Sequence, residues 1–143
     1  MPTDWNELAA SSPYQTAVAV DQAIRRGDLD EAGAGLRELI DALSRSERRA
    51  LRAQLIRLMV HVLKWRAQPE RRSRSWSATI ANARDEIDEI RDETPSLTRA
   101  TIEAMWDRCL AAALRDAGAE VGRDLAVDRL DWRDVFEAEY PNP

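Results

Sequence analysis

His61 is the single histidine of the chain, and Lys64 and Trp65 follow it one helical turn later. Imidazole is the side chain best suited to move protons near neutral pH, so this turn is where an enzyme or small-ligand binder would centre its chemistry. A lone histidine is weak evidence for this, and a structural or solvent-facing residue is the better-favoured reading. The other ingredients of known catalytic sites are missing. With one histidine and one cysteine, a His/Cys metal cage is improbable. The carboxylates show no E-x-x-H spacing, and there is no glycine-rich phosphate loop or G-x-S-x-G elbow. Cys109 falls on an apolar helical face and reads as a small buried hydrophobe, not a nucleophile. No cofactor is expected.

A second group of candidates is electrostatic. The stretch 69–74 (Pro69, Glu70, Arg71, Arg72, Ser73, Arg74) forms a basic corner. From Ser44 to Arg74 ten bases face only Glu47 and Glu70, a local +8, while the rest of the chain carries −13, giving −5 overall. Such a segment suits an anionic ligand, a nucleic acid or an acidic protein surface. It also suits internal compensation, in which Asp85, Glu86, Asp88, Glu89, Asp92 and Glu93 lie against it as solvated pairs. The overall acidity argues against non-specific DNA binding, and no zinc-finger or RNA-recognition signature is present. The bias of 20 arginines to one lysine runs along the whole chain, so it reads as codon usage and marks no site. Ser73 and Ser75 among arginines fit either a phosphate-binding turn or helix N-caps.

The elements that must hold these residues are helical. Only 5 Gly and 6 Pro interrupt 143 residues, a composition that favours helix. The pattern predicts an all-α helical bundle of five main helices and a short C-terminal one, in a single domain spanning 1–143 with residues 1–12 less ordered. Asp4 suits the cap of a short turn carrying Trp5 and Leu8. Segment one runs from Pro13 to Arg26 behind Ser12, with Tyr14, Ala17, Val20 and Ile24 on its buried side. Segment two runs from Leu29 to Leu43 behind Asp28, with Leu29, Ala32, Leu36, Leu39, Ile40 and Leu43 in helical register. Gly33 and Gly35 inside it imply either close approach of another helix or an irregular first turn.

Segment three is expected from Glu47 to Ala67, capped by Ser46 and ended by Gln68-Pro69. Its apolar arc (Leu51, Leu55, Leu58, Met59, Val62 and Leu63, widened by Ile56, Val60 and Trp65) makes it the central helix. Segment four, Ser75 to Glu93, carries the narrow seam Trp76, Ile80, Ala83, Ile87, Ile90, with Arg84 and Asp88 at ion-pair spacing. Segment five, Leu97 to Ala117, buries Ile102, Met105, Cys109, Ala113 and Ala117, and Gly118 and Gly122 fray its end. A last short helix is capped by Asp131, with Trp132, Val135 and Phe136 docking inward. No apolar run approaches the ~20 residues of a membrane span, and no basic-then-apolar leader opens the sequence. The lone cysteine fits a cytoplasmic protein.

The block His61-Val62-Leu63-Lys64-Trp65, then Gln68-Pro69-Glu70-Arg71-Arg72-Ser73-Arg74-Ser75-Trp76 and Thr79-Ile80, resembles the hallmark of the domain of unknown function 29 family. Members of that family are small helical bacterial proteins, largely cyanobacterial. Thr94-Pro95-Ser96-Leu97 is similar to its short proline turn, and Trp132 to its closing tryptophan. The resemblance runs from about Leu36 to the C-terminus. The N-terminal third departs from the family's aromatic-rich opening, and Leu130-Asp131 stands where Cys-Pro is usual. The resemblance implies a helical fold and no particular chemistry.

The motif block admits two physical readings. In one, Trp65 and Trp76 pack across the Gln-Pro turn while Arg72 and Arg74 bond the free carbonyls of the preceding helix, a structural corner. In the other, His61, Lys64, Arg72 and Trp76 line a pocket for an anion. The sequence favours a non-enzymatic binding or adaptor module that presents His61, Lys64, Trp65, Arg71, Arg72, Arg74 and Trp76 to an acidic or anionic partner, most simply another protein. The alternatives are a small-ligand binder or enzyme using His61, and nucleic-acid binding. A second apolar side on segment five, Trp106, Leu110 and Leu114, leans the expectation toward a homodimer through that helix.

Overall fold

Helix-forming composition, caps and breakers act together along the chain. A computed structural model describes residues 3–125 and 129–143, and no strand occurs among them. Asp4 accepts from the Glu7 N–H at 3.1 Å and starts α1, Trp5–Ser11. The cap and the apolar anchor Trp5 place Trp5–Ser11 in a helix within the stretch 1–12; residues 1–2 lie outside the described residues. Ser12 ends α1 and caps α2, Pro13–Arg25, with Pro13 in the first turn. Gly27, at φ +79°, closes it.

Asp28 caps α3 by accepting from Glu31 N–H at 3.3 Å. This helix runs unbroken from Leu29 to Ala67. Segments two and three are therefore one helix, and Ser46 is not a cap. The physical reason is that no Gly or Pro lies between Gly35 and Ala67, and the Ser44–Glu47 stretch costs a helix only tenths of a kcal/mol per residue. Gln68-Pro69 ends it as expected, and a 3₁₀ turn, Pro69–Arg71, follows. Ser73 caps α4, Arg74–Glu93. Thr98 and Thr101 form a reciprocal capping box at the start of α5, Arg99–Val121. Its end is not frayed: Gly122 at φ +84° is a left-handed cap, a conformation that glycine adopts without strain. A π-helical turn, Arg133–Glu137, follows, with Asp131 and Asp134 each capping the other's backbone N–H at 2.8 Å.

Contacts divide the chain into two compact units, Met1–Arg48 and Arg49–Pro143. In the first unit the core is small: Trp5, Val20, Ala23 and Ala32. Gly35 decides its packing. A Cβ there would stand 2.6 Å from the Trp5 ring and 2.8 Å from Val20, so the glycine permits close approach and the alternative of an irregular turn falls away. Trp5 Nε1 donates to Glu31 at 2.9 Å, tying α1 to α3. The buried side of α2 is Thr16, Val20 and Ala23, not the expected Tyr14, Ala17, Val20 and Ile24; of that set only Val20 is buried.

In the second unit the arc of α3 is covered as its pattern demands: Leu51, Leu55, Leu58, Met59, Val62 and Leu63 are fully buried. Ile80, Ala83 and Ile87 from α4 and Ile102, Cys109, Ala113 and Ala117 from α5 complete the core with Leu125, Leu130 and Val135. None of the described helices is long and apolar enough to cross a membrane.

Candidate functional site

The basic corner forms where α3 ends and α4 begins. Arg72 folds back along the helix it follows: its Nε donates to Trp65 O at 2.8 Å and its guanidinium lies 4.9 Å from the Trp65 ring centroid. That carbonyl is one of the unpaired acceptors left at a helix C-terminus. A second, Ala67 O, takes its donor from Arg123 at 3.4 Å, a role that the sequence assigns to Arg74. Trp65 and Trp76 do not cap one another. Trp65 meets Tyr140 edge-on at 5.7 Å, while Trp76 is covered by Lys64 Nζ at 4.7 Å. Lys64, only 15% exposed, also pairs with Glu120 at 2.9 Å. The structure thus joins Lys64 to Trp76 and Arg72 to Trp65, and spends both cations on local contacts. The side chains of Arg71 and Arg74 are exposed and make no hydrogen bond or ion pair among the described residues.

His61 is half-buried on the solvent edge of α3. Its Nδ1–H donates to Arg57 O at 2.9 Å, leaving Nε2 as the acceptor of the neutral ring. Partial burial pushes its pKa below the usual histidine value, opposed by the hydrogen bond to Arg57, and the Lys64 charge pushes the same way as burial. Neither described cleft includes His61. One, at the turn between α4 and α5, is lined by Asp88, Arg91, Asp92, Pro95, Leu97 and Thr98, and there Arg91 Nε donates to Leu97 O, so the proline turn is braced from within.

Compensation of the basic segment differs from the expectation. Lys64 pairs with Glu120 of α5 and Arg66 with Asp134 of the C-terminal turn at 2.5 Å; none of its ion pairs among the described residues reaches the acids of α4. Arg84 does not pair with Asp88 either. It donates to Val135 O and Ala138 O, both at 2.8 Å. These contacts hold the C-terminal segment, and that segment covers part of α5. Trp106 stacks on Trp132 at 5.9 Å and donates its indole N–H to Leu130 O at 3.0 Å. Trp106, Leu110 and Leu114 are all half-buried and packed on the core.

The second described cleft brings together residues that the sequence reading did not combine. Arg52 and Ile56 of α3 face Arg108, Ala111, Ala112 and Arg115 of α5 across a shallow groove of about 460 Å³. No carboxylate lines it. Its three arginines are exposed, and none of their side chains forms an ion pair or hydrogen bond among the described residues. The alanines lower the α5 side, so the groove is small-floored and positively rimmed. Cys109 is fully buried beside it. Burial raises its thiol pKa, and the nearby charges of Arg52 and Arg108 only partly offset that. The thiol is therefore protonated and inert at neutral pH. The signal available in the sequence was Arg108 and Arg115, two turns apart on one side of a helix. Their convergence with Arg52 is a tertiary fact. Among the described residues no group of histidine, cysteine and carboxylates is arranged to hold a metal.

The described elements define an all-α helical protein. The chain belongs to the family described as Domain of unknown function DUF29, whose model matches residues 14–137. No match was found among curated proteins or among solved structures.

Proposed function

We propose that this chain is a non-enzymatic binding module that takes an acidic segment of a protein partner in the groove between α3 and α5. The observation that carries the reading is the set Arg52, Arg108 and Arg115, three cations on one groove with no counter-charge on its walls. Unpaired arginine forks are matched to carboxylates, which they bind bidentately. The alanine floor and Ile56 add apolar contact of the kind an amphipathic acidic segment offers. The chain's net charge of −5 disfavours a polyanion as long as a nucleic acid. The free, buried thiol of Cys109 supports residence in the cytoplasm. In this reading the corner around Trp65 and Trp76 is scaffold, with Arg71 and Arg74 as an outer rim of the positive field.

The test compares two triple or double variants. Pull-downs from the native cell with wild type, R52E/R108E/R115E and R71A/R74A are followed by titration of a fluorescent Glu/Leu-rich peptide. The groove variant is expected to lose the partner and the peptide, and the rim variant to weaken both modestly. A steep salt dependence toward DNA or RNA with no peptide binding would overturn the reading, as would an unchanged partner list from R52E/R108E/R115E.

A further inference from the structure

Among the described residues, the large apolar side chains left exposed all belong to the first unit, and four stand on α3: Leu29 at 69%, Leu36 at 47%, Ile40 at 56% and Leu43 at 43%. At 100° per residue these four fall in one narrow column. The helical register of this segment groups them, and the structure leaves that group exposed. Ala32 and Gly35 face the unit's own core, because the close approach of Trp5 and Val20 admits only small residues. The larger residues are thereby turned outward. Single exposed leucines are ordinary, but a column of four about 21 Å long from Leu29 to Leu43 on one helix is an association surface.

The charges beside the column identify its occupant. One flank carries Asp30, Arg37, Asp41 and Arg48, all exposed and none in an ion pair among the described residues. The signs alternate. Asp30 and Arg48 stand equally far on either side of Leu39, and so do Arg37 and Asp41. When two copies of this helix lie antiparallel about a two-fold axis, each flank faces itself reversed in the other copy. Asp30 then meets Arg48, and Arg37 meets Asp41, twice each. The same operation brings Leu36 of one copy within one residue, about 1.5 Å of rise, of the level of Leu43 in the other. A parallel arrangement sets this flank against the opposite one, where Ala32 is buried in the unit's own core and Leu39 and Ser46 carry no charge, and uses none of the four charges. From this self-complementarity we infer that the column on the N-terminal half of α3 is the seam of an antiparallel homodimer, and that the partner it fits is a second copy of this chain. Such an isologous contact is closed and self-limiting. This seam differs from the one expected on segment five, where Trp106 is stacked against Trp132.

Sedimentation equilibrium at tens of micromolar is expected to give twice the 16.2 kDa of one chain. I40E replaces an exposed side chain and is expected to give a folded monomer, with helical circular dichroism unchanged. R37D sets Asp against Asp41 twice and should raise the dissociation constant by about tenfold or more. The swap R37D/D41R restores opposite signs across the axis and should recover the dimer. A wild type that stays monomeric at about 100 μM, well above useful micromolar affinities, overturns the inference. A dimer indifferent to I40E overturns it too. Failure of R37D/D41R to recover what R37D loses overturns the antiparallel register.

Discussion

The Nε–H of Arg72 donates to the carbonyl of Trp65 at 2.8 Å, and the same guanidinium covers the Trp65 ring at 4.9 Å. One side chain therefore caps a carbonyl at the end of a long helix, ties the turn to it and shields the aromatic residue beneath. Removal leaves a helix-terminal carbonyl unpaired. R72A is expected to destabilise the fold by about 1–2 kcal/mol, combining a charged hydrogen bond and a partly exposed cation–π contact. R72K keeps the charge but loses the planar fork, and should recover less than half of this. R71A is expected to fall within about 0.5 kcal/mol of wild type. Urea denaturation of the three variants checks the ranking; equal losses at Arg71 and Arg72 would remove the structural role.

Gly33 and Gly35 lie two residues apart on the same helix and are expected to respond oppositely to alanine. At Gly35 a Cβ would meet the Trp5 ring at 2.6 Å, whereas at Gly33 its nearest neighbour is the mobile end of Arg37 at 3.6 Å. G35A should destabilise by about 1–3 kcal/mol through overpacking. G33A should stabilise by up to about 1 kcal/mol through helix propensity. Thermal melts followed by circular dichroism and Trp fluorescence separate the two, and a destabilising G33A would contradict the geometry.

The contrast between these glycines shows what the sequence made legible. Helical period, the caps Ser12, Asp28 and Ser73, and the breaks at Gly27 and Gln68-Pro69 were all readable because each acts within a few residues. The central arc from Leu51 to Leu63 was readable because a wide apolar face must be covered. A narrow face is ambiguous: the period groups Leu29, Leu36, Ile40 and Leu43, but whether another helix covers them depends on Gly35 and Trp5. Tyr14 and Ile24 failed as core residues on α2 for the same reason. The candidate site was half legible. Arg72 and Lys64 belong to the corner as expected, yet local rings and carbonyls occupy them, while the free arginines converge only when α3 and α5 are packed.

His61 gives the chain a pH response whose sign follows from its environment. Partial burial depresses its pKa below the ordinary 6.5, so the unfolded chain takes up a proton at higher pH than the folded one. Its contribution to stability is complete above that unfolded value and is lost as pH falls from there toward the folded pKa. Denaturation midpoints measured from about pH 8 down to about pH 5 should decline more for wild type than for H61Q, whose amide does not titrate. Parallel curves would show that the ring is as well solvated in the fold as in the unfolded chain.

Arg84 is the remaining test of how the C-terminal segment is held. Its guanidinium donates to Val135 O and Ala138 O at 2.8 Å each and lies 5.5 Å from the Tyr140 ring centroid. Tyr140 in turn donates its hydroxyl proton to Asp134 O at 2.6 Å, and Ser77 Oγ donates to Tyr140 O at 2.6 Å. The segment so fixed carries Trp132, whose ring stacks on Trp106 and is covered by Arg99 at 4.0 Å. R84A leaves two carbonyls without their donor in a partly buried setting and should cost about 2–3 kcal/mol. The loss should appear first as local opening, since only Arg84 and the Ser77 hydroxyl are seen to hydrogen-bond this segment to α4 among the described residues. Hydrogen exchange therefore separates two outcomes. Faster exchange confined to residues 130–140, with α3 and α5 amides slowed as in wild type, is expected. Uniform acceleration across the second unit would instead make Arg84 part of one cooperative core.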